Sequence, residues 1–136
     1  MNVTTCDFKV RGDDRGSLVA IEENIDIPFP LKRVYYIFNT GKGVRRGRHA
    51  HHTLRQVLIC IHGSCKILLD DGREKTEMVM DSASAGLLVD RMIWHEMYDF
   101  SQDCVLLALA SELYHEADYI RKYEEFTALV KGFIDN

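Results

Sequence analysis

Short apolar runs separated by turn residues fill the chain as far as residue 110, the pattern of an all-β sandwich or barrel. Strands are predicted at Leu18–Glu22, Arg33–Phe38, Gly47–His52, Gln56–Ile61, Ser64–Leu69, Thr76–Met80, Gly86–Val89, Ile93–Tyr98 and Val105–Ala110. Gly12 to Gly16 stands before the first run and Thr40 to Gly43 closes the second. Asp70, Asp71 and Gly72 supply an Asp-Gly turn between two hairpin arms. Pro28 and Pro30, the only prolines, share one loop. From about Glu116 the period changes: Ile120, Tyr123, Phe126, Val130 and Phe133 recur at three- or four-residue spacing with charges between them. That spacing predicts one amphipathic helix packed on the barrel. Tyr114 and Tyr119 are expected beneath it as packing residues with no role in chemistry.

A length of 136 residues fits a single domain over 1–136 with a core that needs no metal or disulfide staple. No repeat, linker or low-complexity segment divides it. The 17 basic and 21 acidic residues leave a net charge of -4, which speaks against nucleic acid as a partner and makes any anion site a local one. No apolar run of membrane-spanning length and no signal peptide is visible, so a cytoplasmic protein without a membrane partner is expected. Cys6, Cys60, Cys65 and Cys104 form no CxxC pair, and three of them sit in apolar runs, so they are read as buried free thiols.

Basic charge concentrates in KGVRRGRHAHH, residues 42 to 52. A solvated basic loop would account for Lys42, Arg45, Arg46 and Arg48; a phosphate contact would use the same guanidinium forks. His49 and His51 follow, two apart and therefore on one face of an extended strand. Imidazoles suit acid and base work near neutral pH, and they also suit a metal. His52 faces the other way and is read as structural, while His62 in a turn and His115 before the helix are given no role.

The spacing of Gly43, His49, His51, Gln56 and Gly63 resembles the first cupin motif, G-x5-HxH-x4-E-x6-G, with Gln56 where cupins carry a metal-binding glutamate. A second cupin motif is matched loosely from Gly86 to His95. The resemblance implies a cupin (jelly-roll) β-barrel with the amphipathic helix at its C-terminal end. Replacing the carboxylate by an amide removes a formal charge from the would-be metal site and weakens its hold on a divalent ion.

The runs RGSL (15–18), RVYYIFNT (33–40), RGRHAHHTLRQVLICIHGSCKILLDDG (46–72) and IWHEMYDFS (93–101), with the ADYIRKYEEF ending, narrow the likeness. Together they resemble the sugar 3,4-ketoisomerases, a cupin family acting on dTDP-4-keto-6-deoxyglucose, over essentially the whole chain. That resemblance implies an isomerase with no metal or organic cofactor. It further implies a homodimer with exchanged N-terminal strands, and a place in bacterial routes to the amino-deoxy sugars of surface polysaccharides such as O-antigen and S-layer glycans. By the family pattern His49 and His51 carry the proton transfers, and Arg15 and His95 line the sugar and lean the product toward 3-keto-6-deoxygalactose. Tyr35, of the pair Tyr35 and Tyr36, is expected inside the barrel. Arg46 first and Arg33 second are expected to meet the pyrophosphate or the oxyanion.

Three other readings remain open on the residues alone. A metal-dependent cupin enzyme would use His49, His51 and His95 with Gln56 as a weak fourth ligand. A nucleotide-sugar epimerase would need a similar acid and base. A cupin binding module would sense a small anion, though no second domain is visible to receive the signal.

Overall fold

The computed structural model describes residues 1–135, with side chains as far as Gly132; Asn136 and the inward placement expected of Phe133 lie outside the described residues. The described residues form twelve strands and one α-helix: β1 Thr5–Asp7, β2 Arg11–Asp13, β3 Gly16–Leu18, β4 Arg33–Ile37, β5 Arg46–His51, β6 Gln56–His62, β7 Cys65–Asp70, β8 Lys75–Met80, β9 Ala85–Val89, β10 Trp94–Tyr98, β11 Val105–Ala110, β12 Tyr119–Ile120 and α1 Tyr123–Asp135. Two five-stranded antiparallel sheets, ordered β1-β9-β6-β11-β4 and β12-β5-β10-β7-β8, face each other, and β2 pairs with β3 as a separate hairpin. This is the cupin-type all-β architecture with its C-terminal helix.

Alternation along the strands explains three apolar layers. Leu58, Cys60, Ile67, Leu69, Leu87, Met97, Leu106 and Ala108 fill the space between the sheets. Their neighbours Val57, Ile59 and Leu109 point the other way and are covered by Phe8, Ile27 and Phe29 from the N-terminal segment. That second cover is why β6 reads as a continuous apolar run, because both of its faces are dry. On the opposite sheet Ala50, Trp94 and Ile120 point outward against Phe126 of α1, with Tyr123 and Leu129 beside it. Among the described residues no helix is long and apolar enough to cross a membrane.

Several expectations are corrected here. The strand predicted over Leu18–Glu22 ends at Leu18; Val19 and Ile21 alternate because they pack on the outer face of a sheet, with no strand beside them. The helix expected from Glu116 begins at Tyr123, after a short 3-10 turn at Glu116–Asp118 and the two-residue β12. Ile120 therefore belongs to a strand, and its apolar phase reflects contact with α1. Asp118 fixes the change of direction by accepting the backbone N–H groups of Thr53 and Leu54 at 2.8 and 3.0 Å.

Candidate active site

Strand pairing brings three imidazoles onto one interior face. His49 lies directly opposite His95 across the β5 and β10 pair, and His51 lies opposite Tyr119 across β5 and β12. Residues directly opposite in an antiparallel pair share a face. The ring centroids of His49 and His51 are 4.8 Å apart, those of His49 and His95 4.7 Å, and those of His51 and His95 5.7 Å. Tyr119 stacks edge-on to His51 at 4.4 Å, and the Arg121 guanidinium lies over its outer face, also at 4.4 Å.

A β-bulge adds Arg46 to that face. Gly47 and Arg48 both have positive φ, and the register with β10 slips by one residue, leaving Arg48 without a partner. In an unbroken strand Arg46 and His49, three apart, would face opposite ways; the inserted residue puts them on the same side. Gly47 is required twice over, by its φ of +78° and because a Cβ there would stand 3.0 Å from the His95 carbonyl oxygen.

Hydrogen bonds set the state of each ring. The Tyr35 hydroxyl donates to Gln56 Oε1 at 2.8 Å, which turns the amide so that its Nε2 donates to His95 Nε2 at 3.2 Å. His95 therefore carries its proton on Nδ1, facing the Ile93 carbonyl at 3.3 Å. His49 Nδ1 lies 3.0 Å from the Gly47 carbonyl, so its lone pair is on Nε2. Among the described residues His51 Nε2 and Arg33 Nε are buried without a hydrogen-bond partner. Burial pushes His49 down to about 4 and His51 to about 3, the latter helped by the neighbouring His49 charge, and holds His95 far below the usual imidazole range. All three rings are neutral at pH 7.

The three ring nitrogens lie within 4.8 Å of one another, a spacing that would suit a metal. The hydrogen bonds point elsewhere: His95 Nε2 is occupied by the Gln56 amide, and no carboxylate stands where cupins have one. The donor set therefore fits proton transfer better than a divalent ion.

A cavity of about 210 Å³ opens over these residues, lined by Arg33, Tyr35, Ile37, Arg46, Gly47, His49, Met97 and Tyr119. Burial pushes the Tyr35 phenol up to about 12, so it stays a donor. Arg33 stacks over both Tyr35 and Tyr114, at 5.3 and 5.6 Å. A larger depression of about 510 Å³, lined by residues such as Lys32, Leu113 and His115, carries none of the histidine cluster in its wall.

Of the residues singled out from the sequence, His49, His51, His95, Tyr35, Arg33 and Arg46 converge. Arg15 does not. It sits at the tip of the exposed β2–β3 hairpin with its side chain 87% exposed, bonded to Asp13 at 2.7 Å. Tyr36 points outward, as its phase requires, and His52, His62 and His115 are exposed. Sequence reasoning missed Tyr119, assigned there to packing under the helix; a two-residue strand is too short for any period to betray it. Gln56 also acts differently from the weak ligand considered for it, since it orients His95.

Known proteins resemble this chain along most of its length. The family model described as "FdtA: WxcM-like, C-terminal" matches residues 1–131. A TDP-4-oxo-6-deoxy-alpha-D-glucose-3,4-oxoisomerase from Aneurinibacillus thermoaerophilus is 57% identical over 119 residues, 88% of this chain and 86% of that one. The crystal structure of QdtA, a sugar 3,4-ketoisomerase from Thermoanaerobacterium thermosaccharolyticum in complex with TDP, is 46% identical and superposes with a TM-score of 0.94 over 96% of both chains. A histidine-to-asparagine mutant of QdtA, solved with TDP-4-keto-6-deoxyglucose, gives the same TM-score of 0.94 at 46% identity, over 96% of this chain and 95% of that one. The chain belongs to this FdtA-like family of sugar 3,4-ketoisomerases, enzymes of the isomerase class.

Proposed function

We propose that the protein converts dTDP-4-keto-6-deoxyglucose into dTDP-3-keto-6-deoxygalactose by proton transfer alone. The observation that carries this reading is the packed group of neutral imidazoles, in which His49 lines the cavity and the Nε2 of its neighbour His51 is buried without a partner. Moving the ketone requires loss of the proton on carbon 3, with the C–H electrons forming the carbon 3–carbon 4 double bond of an enediolate. A proton is then added at carbon 4, while the hydroxyl proton on the carbon 3 oxygen is given up and the carbon 4 oxygen gains one. His49 and His51, each with a free ring nitrogen, are the acceptor and donor. The orphaned Arg33 Nε and the Arg46 guanidinium supply positive charge for the enediolate oxygen or the pyrophosphate. A cavity of 210 Å³ holds a hexose, so the nucleotide extends past Arg33 and Arg46 to the surface. His95 beneath His49 sets how the sugar lies, and hence which face of carbon 4 receives the proton.

The working unit of this proposal is a cytoplasmic homodimer. Among the described residues the β2–β3 hairpin makes no strand pair with its own barrel, and β4 ends its sheet with an open edge. Val10 and Leu18 on the hairpin and Val34, Tyr36 and Phe38 along β4 are 51–61% exposed, more apolar surface than an edge strand leaves to water. Exchange of N-terminal segments would cover both and carry Arg15 to the partner's sugar pocket.

Incubation with dTDP-4-keto-6-deoxyglucose in deuterated water, followed by proton NMR, tests the reaction. A 3-keto product with deuterium at carbon 4 is expected, with coupling constants of the galacto configuration. Exchange with the ketone still at carbon 4 would instead identify an epimerase. Sedimentation of the wild type tests the dimer, and a monomer that turns over at the full rate would remove Arg15 from the site.

A further inference from the structure

A second group of reactive side chains stands at the far end of the barrel interior, and the isomerisation makes no use of it. Cys60 on β6, Cys65 at the start of β7 and Cys104 just before β11 are buried free thiols. Their sulfurs all lie within 4.8 Å of one another, with Cys60 and Cys104 at 3.7 Å. Cys60 is four residues along β6 from Gln56, so at about 3.3 Å per residue the thiols stand about 13 Å from the contact with His95.

Three chain segments each bring a thiol here. Met80 lies directly opposite Cys65 across the β7 and β8 pair and belongs to the same buried cluster, which places a thioether on the same face. The side chains of His62 and Asp103 are exposed, with His62 Nδ1 3.5 Å from Asp103 Oδ2, and the Cys60 thiol donates to the His62 backbone carbonyl at 3.2 Å. Hard cations ask for oxygen ligands, and zinc completes a tetrahedron of thiolate, imidazole or carboxylate. Three thiols with a thioether at their side match the soft preference of Cu(I).

We propose that Cys60, Cys65 and Cys104 form a three-sulfur site for Cu(I), with the Met80 thioether as the adjoining soft donor. No electron is transferred on binding. Each coordinated thiol gives its proton to solvent as its sulfur takes the ion, so uptake strengthens as pH rises. The turns Gly63–Ser64 and Ser101–Asp103, tied by the Ser64 N–H to Ser101 Oγ bond of 2.9 Å, form the cover an ion would pass.

The test is an anaerobic titration of the reduced, metal-stripped protein with Cu(I) alone, against bicinchoninate as a coloured competitor, with X-ray absorption on the loaded protein. One Cu(I) withdrawn per chain and a shell of sulfur only are expected. Uptake should be lost in Cys104→Ser and in Cys60→Ser and kept in Cys6→Ser, with isomerase activity before metal addition reporting that each variant is folded. Failure of the wild type to compete, undiminished uptake in folded Cys60→Ser and Cys104→Ser, or nitrogen or oxygen in the shell would overturn the site. Should both serine variants fail to fold, competition and absorption by the wild type decide alone.

Discussion

A proton leaving carbon 3 of the sugar needs an acceptor that is empty at pH 7, and burial is what empties the rings of His49 and His51. Asparagine keeps some of the polarity of either ring and none of its basicity. His49→Asn and His51→Asn are each expected to lower kcat by about 100-fold or more, with the circular dichroism spectrum unchanged; full turnover in either would remove that residue from the chemistry. Arg46 is asked only to hold charge that the substrate already carries, so Arg46→Ala should raise KM more than it lowers kcat. Steady-state kinetics that leave KM unchanged would return Arg46 to the solvated loop. Gln56→Glu puts a carboxylate against His95 beside three ring nitrogens within 4.8 Å, the donor set a divalent ion prefers. That variant is expected to keep near-stoichiometric metal through purification and to lose turnover, and elemental analysis beside the wild type reads the difference. A metal-free glutamate variant would mean that the rings are not disposed for coordination.

At the scale of elements the site depends on one irregularity, the bulge at Gly47 and Arg48 in β5. Gly47→Ala forces a side chain into a left-handed backbone position and toward the His95 carbonyl. A loss of roughly 1–3 kcal/mol in denaturant unfolding is expected, together with a fall in kcat/KM as Arg46 and His49 leave their common face. Unchanged kcat/KM would show that the bulge does not place Arg46. The glycine was visible in the sequence, but its conformation was not, because a bulge is set by pairing with β10, which lies far along the chain. The strands from β4 to β11 were legible for the opposite reason: each has a covered face, whose apolar residues, such as Ile67 and Leu69 in β7, form short runs bounded by turn residues. The segments β1, β2 and β12 have two or three residues each, too few to show a period. His49 and His51 were found through spacing, and His95 through likeness to a family. Tyr119 was lost because the apolar phase of the tail belonged partly to α1 and partly to a strand.

For the whole molecule, the cost of keeping three imidazoles neutral should appear as a pH dependence of stability. In the unfolded chain each ring takes up a proton below about 6.5. In the folded protein His49 stays neutral down to about 4 and His51 to about 3, both through burial, and His95 resists protonation further still. Between these limits the unfolded state binds more protons, so stability rises with pH across that window; it is complete above 6.5 and drains away as the solution is acidified. Carboxylates such as Glu116, held down to about 2 by its bonds to Arg121, and Asp13, lowered by Arg15, add their own acid sensitivity only below the ordinary carboxylate range. The interval from about pH 6.5 to 4.5 therefore reports on the histidines. Scanning calorimetry is expected to show a Tm that is flat above pH 7 and falls steadily through that interval. In His51→Asn the fall should be shallower, because one ring no longer has to be kept neutral at a cost. The same neutrality governs activity: a buried base is protonated only well below 6.5, so the acid limb of kcat/KM should lie under that value. A Tm and a kcat/KM that both drop with a midpoint near 6.5 and do not respond to His51→Asn would mean that the rings titrate as solvated imidazoles and that the closed histidine pocket is not what sets their chemistry.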